Sequence, residues 1–308
     1  MSRAEVQAAI DLGTNTILMV TGRTGPGGGI DILDDAHAIA RLGQGVDAER
    51  RIGTDAVERV CGFLARYRRR AEGLGARRIR AFGTSALRDA ANGPEFIDVV
   101  ARRTGIELTE LSGEEEARHT FAGAAFGLDL PARYAVLDIG GGSTELALGS
   151  AAGVERSRSI DVGAVRVTER CFSTLPPAAD ERARATNLIS AAFDELPPWP
   201  GDPAIVGVAG TITTLGALDL GAPRFDAAGV DGHFLSAGEV RRLSDRLLGM
   251  TWQQIKALPQ VSDARADIIG AGSLILRHCL HRLRSPGVIV STRGIRYGLL
   301  MEMLAGRL

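Results

Sequence analysis

Short apolar runs broken by small-residue turns alternate along this chain with longer stretches whose apolar residues recur at helical spacing. Residues 8–22, Ala-Ala-Ile-Asp-Leu-Gly-Thr-Asn-Thr-Ile-Leu-Met-Val-Thr-Gly, form an apolar run with an Asp near its end, a tight turn and a second apolar run, which predicts a β-hairpin. Residues 135–149, Ala-Val-Leu-Asp-Ile-Gly-Gly-Gly-Ser-Thr-Glu-Leu-Ala-Leu-Gly, repeat the device. Placing Asp11 under Asp138 also places Gly13 under Gly140 and Thr16 under Ser143. A third small-residue turn, Ala209-Gly210-Thr211, follows the apolar run Ala204 to Val208.

Between these turns the pattern switches to helical period. Thr54 is a plausible N-cap for a helix with Val57, Val60, Leu64 and Tyr67 on its apolar face. Helices are also expected over 94–103, 113–126, 164–172, 236–250, 263–283 and 295–304, with strands at 30–40, 79–82, 106–109 and 287–290. Pro176-Pro177 opens a further polar helix, and Leu196 to Gly201 reads as a linker-like break. Strands alternating with helices predict an α/β protein, with its main boundary near Gly127.

The turns carry candidate chemistry. Gly140, Gly141 and Gly142 can take positive φ and bring backbone N–H groups close to phosphate oxygens. An Asp before each turn suits a divalent metal bridging to that phosphate. Glu145, two residues after Ser143 on the second strand, shares its face. Ser112 with Glu115 forms a capping box, and Glu114 can favour the helix dipole. Glu116 points about 100° further round the helix and has no local structural duty. Gly83-Thr84-Ser85-Ala86-Leu87-Arg88 has the form of strand, small-residue turn and helix start, where Arg88 could fork onto a phosphate.

Composition narrows the field. The chain has 308 residues, 45% apolar, enough for two packed domains or one large one. A formal net charge of −1 excludes a global attraction to polyanions, so affinity for phosphate chains must be local and nucleic acid is not an expected partner. Cys61, Cys171 and Cys279 are distant from one another, which argues for reduced thiols. Met1 to Gln7 contains no apolar signal core and no run has membrane length, so a soluble, intracellular protein that contacts no membrane is expected. Arg66, Arg68, Arg69 and Arg70 read as a solvated basic face or as a landing strip for a long polyanion. His233 reads as structural or surface, and His278, Cys279 and His281 read as packing and surface residues in preference to a metal site.

In combination, the two hairpins, Gly83 to Arg88, Ser112 to Arg118, Gly210 to Leu215 and Arg293 to Gly298 resemble the exopolyphosphatase and guanosine pentaphosphate phosphohydrolase (Ppx/GppA) family. That family is part of the actin-like superfamily of sugar kinases, actin and chaperone ATPases. The resemblance implies two actin-like, ribonuclease H-like domains with an interdomain cleft, residues 1–127 and 128–294, the last helix (about 295–308) packing back on the first. It implies hydrolysis of the terminal phosphoanhydride of polyphosphate, or of guanosine pentaphosphate, in the cytoplasm by a homodimer.

By the same resemblance, Thr14, Asn15, Thr16, Gly141, Gly142, Ser143, Gly210 and Thr211 bind phosphate, and Arg41 is a further phosphate contact or an exposed loop arginine. Asp11, Asp138 and Glu145 hold Mg²⁺ or Mn²⁺, Glu145 also placing the attacking water. Glu116 is the catalytic carboxylate, and Arg88 offsets developing charge. Longer family members append a helical C-terminal half, so shorter polyphosphates are the expected substrates here. Two rival readings remain at this stage: an ATP-dependent small-molecule kinase and a non-catalytic guanosine tetra- or pentaphosphate sensor.

Overall fold

The computed structural model of the chain describes residues 5–26, 28–194 and 203–308. Met1 to Ala4, Gly27 and the expected break at Leu196 to Gly201 lie outside the described residues. Two compact units emerge, Met1–Gly123 with Ile295–Leu308, and Ala124–Gly294.

The first unit is built on β1 (Val6–Leu12), β2 (Thr16–Thr24), β3 (Ile30–Ile39), β4 (Ala76–Gly83) and β5 (Glu107–Glu110). Their order across the sheet is β3-β2-β1-β4-β5. Tight turns make β1, β2 and β3 an antiparallel meander, whereas β4 and β5 run parallel to β1. Parallel strands need crossover connections, and the helices Thr54–Gly73 and Gly93–Thr104 provide them. Val60, Leu64, Phe96 and Val100 on those helices bury against Ile10, Leu12, Ile17 and Met19. The Tyr67 hydroxyl, at the foot of the apolar stripe, donates to the Ile17 carbonyl at 3.0 Å.

The second unit contains β6 (Arg133–Ile139), β7 (Thr144–Ser150), β8 (Gly153–Ile160), β9 (Ala204–Val208), β10 (Phe234–Ser236) and β11 (Gly287–Val290). Their order is β10-β11-β9-β6-β7-β8. Read from the meander inward, β8-β7-β6-β9-β11 repeats the first sheet strand for strand, and β10 is an antiparallel addition at the edge. The repeat visible in two hairpins therefore extends through both sheets. Each unit is ribonuclease H-like, and the chain has the actin-like fold class.

The last helix, Ile295–Leu304, belongs to the first unit, where it packs on β1 and β2. Arg296 holds it there, Nε and Nη2 reaching Asp35 of β3 at 2.9 and 2.7 Å, and the Tyr297 hydroxyl joins the same carboxylate at 2.8 Å.

Local details depart from the sequence reading. Thr54 is the first helical residue and Gly53 the N-cap, extended and with no side chain to cap. The helix expected from residue 263 begins at Ile269, because Arg265 N–H to Ser262 and Ile268 N–H to Arg265 close short turns first. A capping box at Thr251 and Gln254 starts an unforeseen helix, Trp252–Lys256. On the basic helix Arg68 pairs with Glu72 at 2.8 Å and Arg70 with Asp34 at 2.6 Å, exposed pairs of the kind that contribute about 0–1 kcal/mol.

Candidate active site

Both Asp-bearing hairpins turn in the same way. Gly13 N–H donates to the Thr16 carbonyl at 2.9 Å, and Gly140 N–H to the Ser143 carbonyl at 3.0 Å. The carbonyls inside each turn are then taken by a segment further along. Gly43 N–H binds the Thr14 carbonyl at 2.8 Å, and the amides of Ala40 and Arg41 bind that of Asn15 at 3.1 and 2.9 Å. In the second unit Ala164 N–H binds the Gly140 carbonyl at 2.9 Å, and Val165 and Arg166 N–H bind that of Gly141 at 2.8 and 3.1 Å. Arg166 Nε completes the set on the Gly142 carbonyl at 2.7 Å.

The consequence is electrostatic. Carbonyl dipoles that would repel an anion are consumed from behind, and among the described residues the amides of Thr14, Gly141, Gly142 and Ser143 have no backbone acceptor. Such a turn presents donors to an anion. Two bare residues make the close approach feasible: a Cβ on Gly163 would run into the backbone of Gly141 and Gly142, and one on Gly43 into the Thr14 side chain. Gly13 and Gly140 are not left-handed; a Cβ on Gly140 would sit 3.1 Å from the Ser143 carbonyl, so closeness explains that glycine.

In the first unit, Leu12 of β1 pairs with Gly83 of β4, and Gly83 with Glu110 of β5, so three connections leave the sheet at one level. This carboxyl end of the parallel strands is where α/β sheets bind ligands. It carries Asp11 (7% exposed), Thr14, Asn15 and Thr16 from β1 and its turn, Thr84 and Arg88 after β4, and Glu116 after β5. Arg88 Nη1 donates to Glu116 Oε2 at 2.7 Å and to the Leu111 carbonyl at 2.9 Å. Burial pushes the Glu116 carboxyl up from the ordinary glutamate range, against the opposing pull of Arg88 and the Thr84 hydroxyl. Its neighbour Glu115 caps Ser112 as the spacing requires, at 2.9 Å from that amide.

In the second unit one row crosses four strands: Val208, Asp138, Glu145 and Ser159 stand opposite one another. Asp138 and Glu145 therefore share a face as a directly opposed pair of carboxylates, an arrangement that costs energy in the absence of a cation. Ser159 Oγ donates to Glu145 Oε1 at 2.7 Å. The third turn begins at the end of that row. Ala209, left-handed at φ 66, turns β9 into the helix Ala209–Asp219, which places Gly210 and Thr211 in its first turn.

Arg265 is the residue that sequence reading missed here. Its guanidinium lies over Gly210, in the space a Cβ there would take, and donates to Thr214 Oγ1 at 3.4 Å. Its side-chain hydrogen bond is to a hydroxyl, and burial pushes the Arg265 pKa down to about 10. A buried guanidinium is a group able to bind an anion. Nothing in Ser262-Asp263-Ala264-Arg265 marks it, because its partner is the absence of a side chain 55 positions away. The Gly270 to Gly272 stretch, in contrast, admits protein: a Cβ on Gly272 would run into Thr211.

Other candidates lie elsewhere. His233 Nε2 is 2.7 Å from Asp219 Oδ2. The His278 ring packs on Phe193, and the fully buried Cys279 has its thiol pushed up by desolvation. Among the described residues no group of three or more His, Cys, Asp or Glu could hold a metal by itself. Asp138 and Glu145 still fit Mg²⁺, a hard cation that takes one or two carboxylates and completes its shell with water and phosphate oxygens.

Duplicated sheets with amide-presenting turns, paired carboxylates and a partly buried Glu–Arg pair define a phosphate-handling protein of actin-like fold. The sequence profile of the Ppx/GppA phosphatase family matches residues 22–306, and the chain belongs to that family of hydrolases. It is 36% identical over 289 residues to Exopolyphosphatase 2 of Mycobacterium tuberculosis, covering 90% of each chain. Among solved structures, the Aquifex aeolicus Ppx/GppA family member matches with a TM-score of 0.84 at 29% identity, covering 99% of both chains. An exopolyphosphatase-like protein matches with a TM-score of 0.92 at 30% identity, covering 98% of this chain and 100% of the other.

Proposed function

We propose that this chain is an exopolyphosphatase, which hydrolyses the terminal phosphoanhydride of inorganic polyphosphate and acts on guanosine pentaphosphate by the same chemistry. The observation that carries the reading is buried Glu116 held at 2.7 Å by Arg88 at the carboxyl end of the first sheet. A carboxylate with a raised pKa is suited to take a proton near neutral pH. Glu116 accepts a proton from water, the water oxygen bonds to the terminal phosphorus, and the bond to the bridging oxygen breaks, releasing orthophosphate and a shortened chain. Arg88 supplies charge for the phosphoryl oxygens as the transition state forms.

The amides of Thr14, Gly141, Gly142 and Ser143 bind phosphate oxygens, with Asn15, Thr16, Gly210, Thr211 and Arg265 as further contacts. Asp138 and Glu145 would hold Mg²⁺ or Mn²⁺, with Asp11 as the equivalent carboxylate of the first unit; the metal would neutralise phosphate charge. A cytoplasmic homodimer belongs to the same proposal. No helix of the described residues is long and apolar enough to cross a membrane, and the three cysteines are free thiols.

The test is orthophosphate release from polyphosphates of graded length, guanosine pentaphosphate, and ATP with candidate acceptors. Release from polyphosphate supports the reading. Transfer to an acceptor from ATP, with polyphosphate inert, replaces it with the kinase reading.

A further inference from the structure

In the central turn, backbone amides hold the carbonyls of Gly140 and Gly141, but the Gly142 carbonyl is held by a side chain, Arg166 Nε at 2.7 Å. Arg166 is itself buried, 5% exposed, in the first turn of the helix Ala164–Cys171. The peptide plane that carries the Gly142 carbonyl also carries the Ser143 N–H, pointing the opposite way. Rotating that plane would aim an oxygen at the anion and withdraw a donor. Gly142 offers little steric resistance to the rotation, since glycine accepts nearly any backbone conformation.

We infer that Arg166 is a positioning residue that locks the Gly142–Ser143 peptide with its N–H directed at bound phosphate. The inference rests on the phosphate-binding reading of the central turn. Arg166 acts through the peptide it orients, and its bond geometry matters more than its charge.

Side-chain topology separates the two roles. In glutamine the amide nitrogen stands at the same number of bonds from Cα as arginine Nε, so Arg166→Gln keeps a donor to the Gly142 carbonyl and discards the charge. Arg166→Lys keeps the charge but puts a methylene where Nε was, and Arg166→Met removes both. Orthophosphate release from polyphosphate is measured for all four proteins, with thermal melts beside it. Loss of one preorganised donor of this kind costs about 10²–10³-fold where it is complete. The expected result is kcat/KM within about threefold of wild type for Arg166→Gln, and a fall of about tenfold or more for Arg166→Lys and Arg166→Met. Retention in Arg166→Lys with loss in Arg166→Gln would overturn the inference in favour of a charge role. Equal loss in all three, or no loss in any, would overturn it as well.

If the Lys and Met variants fail to fold, wild-type and Arg166→Gln proteins, which should respond alike, decide. Orthophosphate titrated into ¹⁵N-labelled protein should move the Ser143 amide resonance, and an unmoved Ser143 amide sinks the inference. That spectrum also separates the two levels of the argument: wild-type protein inert on polyphosphate defeats the substrate reading, while the amide response still tests Arg166.

Discussion

Arg88 and Glu116 form a partly buried ion pair, Nη1 to Oε2 at 2.7 Å, across 28 residues of sequence. The pair leaves the second carboxylate oxygen of Glu116 outside that bond, and general-base help of this kind contributes about 10²–10⁴-fold. Glu116→Gln should lower kcat by that order and leave orthophosphate binding, measured by calorimetry, within a few-fold of wild type. Unchanged turnover would take Glu116 out of the reaction.

The same carboxyl sets a pH dependence. Burial raises its pKa and Arg88 lowers it, with burial the larger effect. A general base acts only when ionised, so on the proposed mechanism kcat/KM should fall as pH drops through a point above the ordinary glutamate range. Arg88→Ala removes an influence that lowers the pKa, so whatever activity remains should show its acidic limb at higher pH. A limb that moves to lower pH in that variant would contradict the assignment.

Features that depend on neighbours in sequence were the legible ones. The two Asp-bearing turns and the Ser112 and Glu115 capping box follow from spacing within a hairpin or a helical turn. What stayed hidden acts at a distance on groups that carry no pattern. Arg166 reaches a carbonyl 24 residues away, and Arg59 braces the first turn from behind by donating to the carbonyls of Ala40 and Arg41 at 3.1 and 3.3 Å. An arginine whose partner is a carbonyl looks, in sequence, like any surface arginine. The start of the helix at Ile269 was hidden for a related reason: helical periodicity continues through residues whose turns are already closed by other hydrogen bonds.

Gly163 and Gly43 should differ in tolerance, although each lies behind an amide-presenting turn. At Gly163 an added Cβ meets the backbone of the central turn; at Gly43 it meets the Thr14 methyl and Ala86, side-chain atoms. Backbone cannot step aside without moving the amides, so Gly163→Ala should reduce kcat/KM by about tenfold or more, and Gly43→Ala by less. Gly29→Ala, where nothing lies within 4 Å, is the control that should leave activity unchanged. Equal activity in the two test variants would show that the turn yields freely.

The proposed metal dependence can be tested through a residue that would not itself hold the metal. Ser159 Oγ donates at 2.7 Å to Glu145 Oε1 and so fixes the carboxylate opposite Asp138. Outer partners of metal-binding carboxylates typically contribute about 10–100-fold in affinity or activity. Chelation with EDTA should abolish phosphate release, and Ser159→Ala should raise the Mg²⁺ concentration for half-maximal rate by about tenfold. Full activity in EDTA would remove the metal from the account.

The last helix offers a stability test that is independent of catalysis. Arg296 is 8% exposed and forks onto Asp35 at 2.9 and 2.7 Å, with the Tyr297 hydroxyl at 2.8 Å on the same carboxylate. Removing one partner of a fully buried pair costs about 3–5 kcal/mol, because the other charge is stranded. Here the Asp35 side chain keeps 34% of its exposure, so water can partly solvate it and the cost is smaller. Arg296→Met should therefore lower the unfolding free energy by about 2–3 kcal/mol, and Tyr297→Phe, which removes one hydrogen bond to a charged group, by about 1–2 kcal/mol. Urea denaturation followed by circular dichroism gives both values. Because the bond ties residues 261 positions apart, the loss should appear in the folding of the first unit, whose sheet contributes Asp35 and whose final helix contributes the guanidinium. If Arg296→Met proved milder than Tyr297→Phe, the fork onto Asp35 would not be what fastens that helix to the sheet.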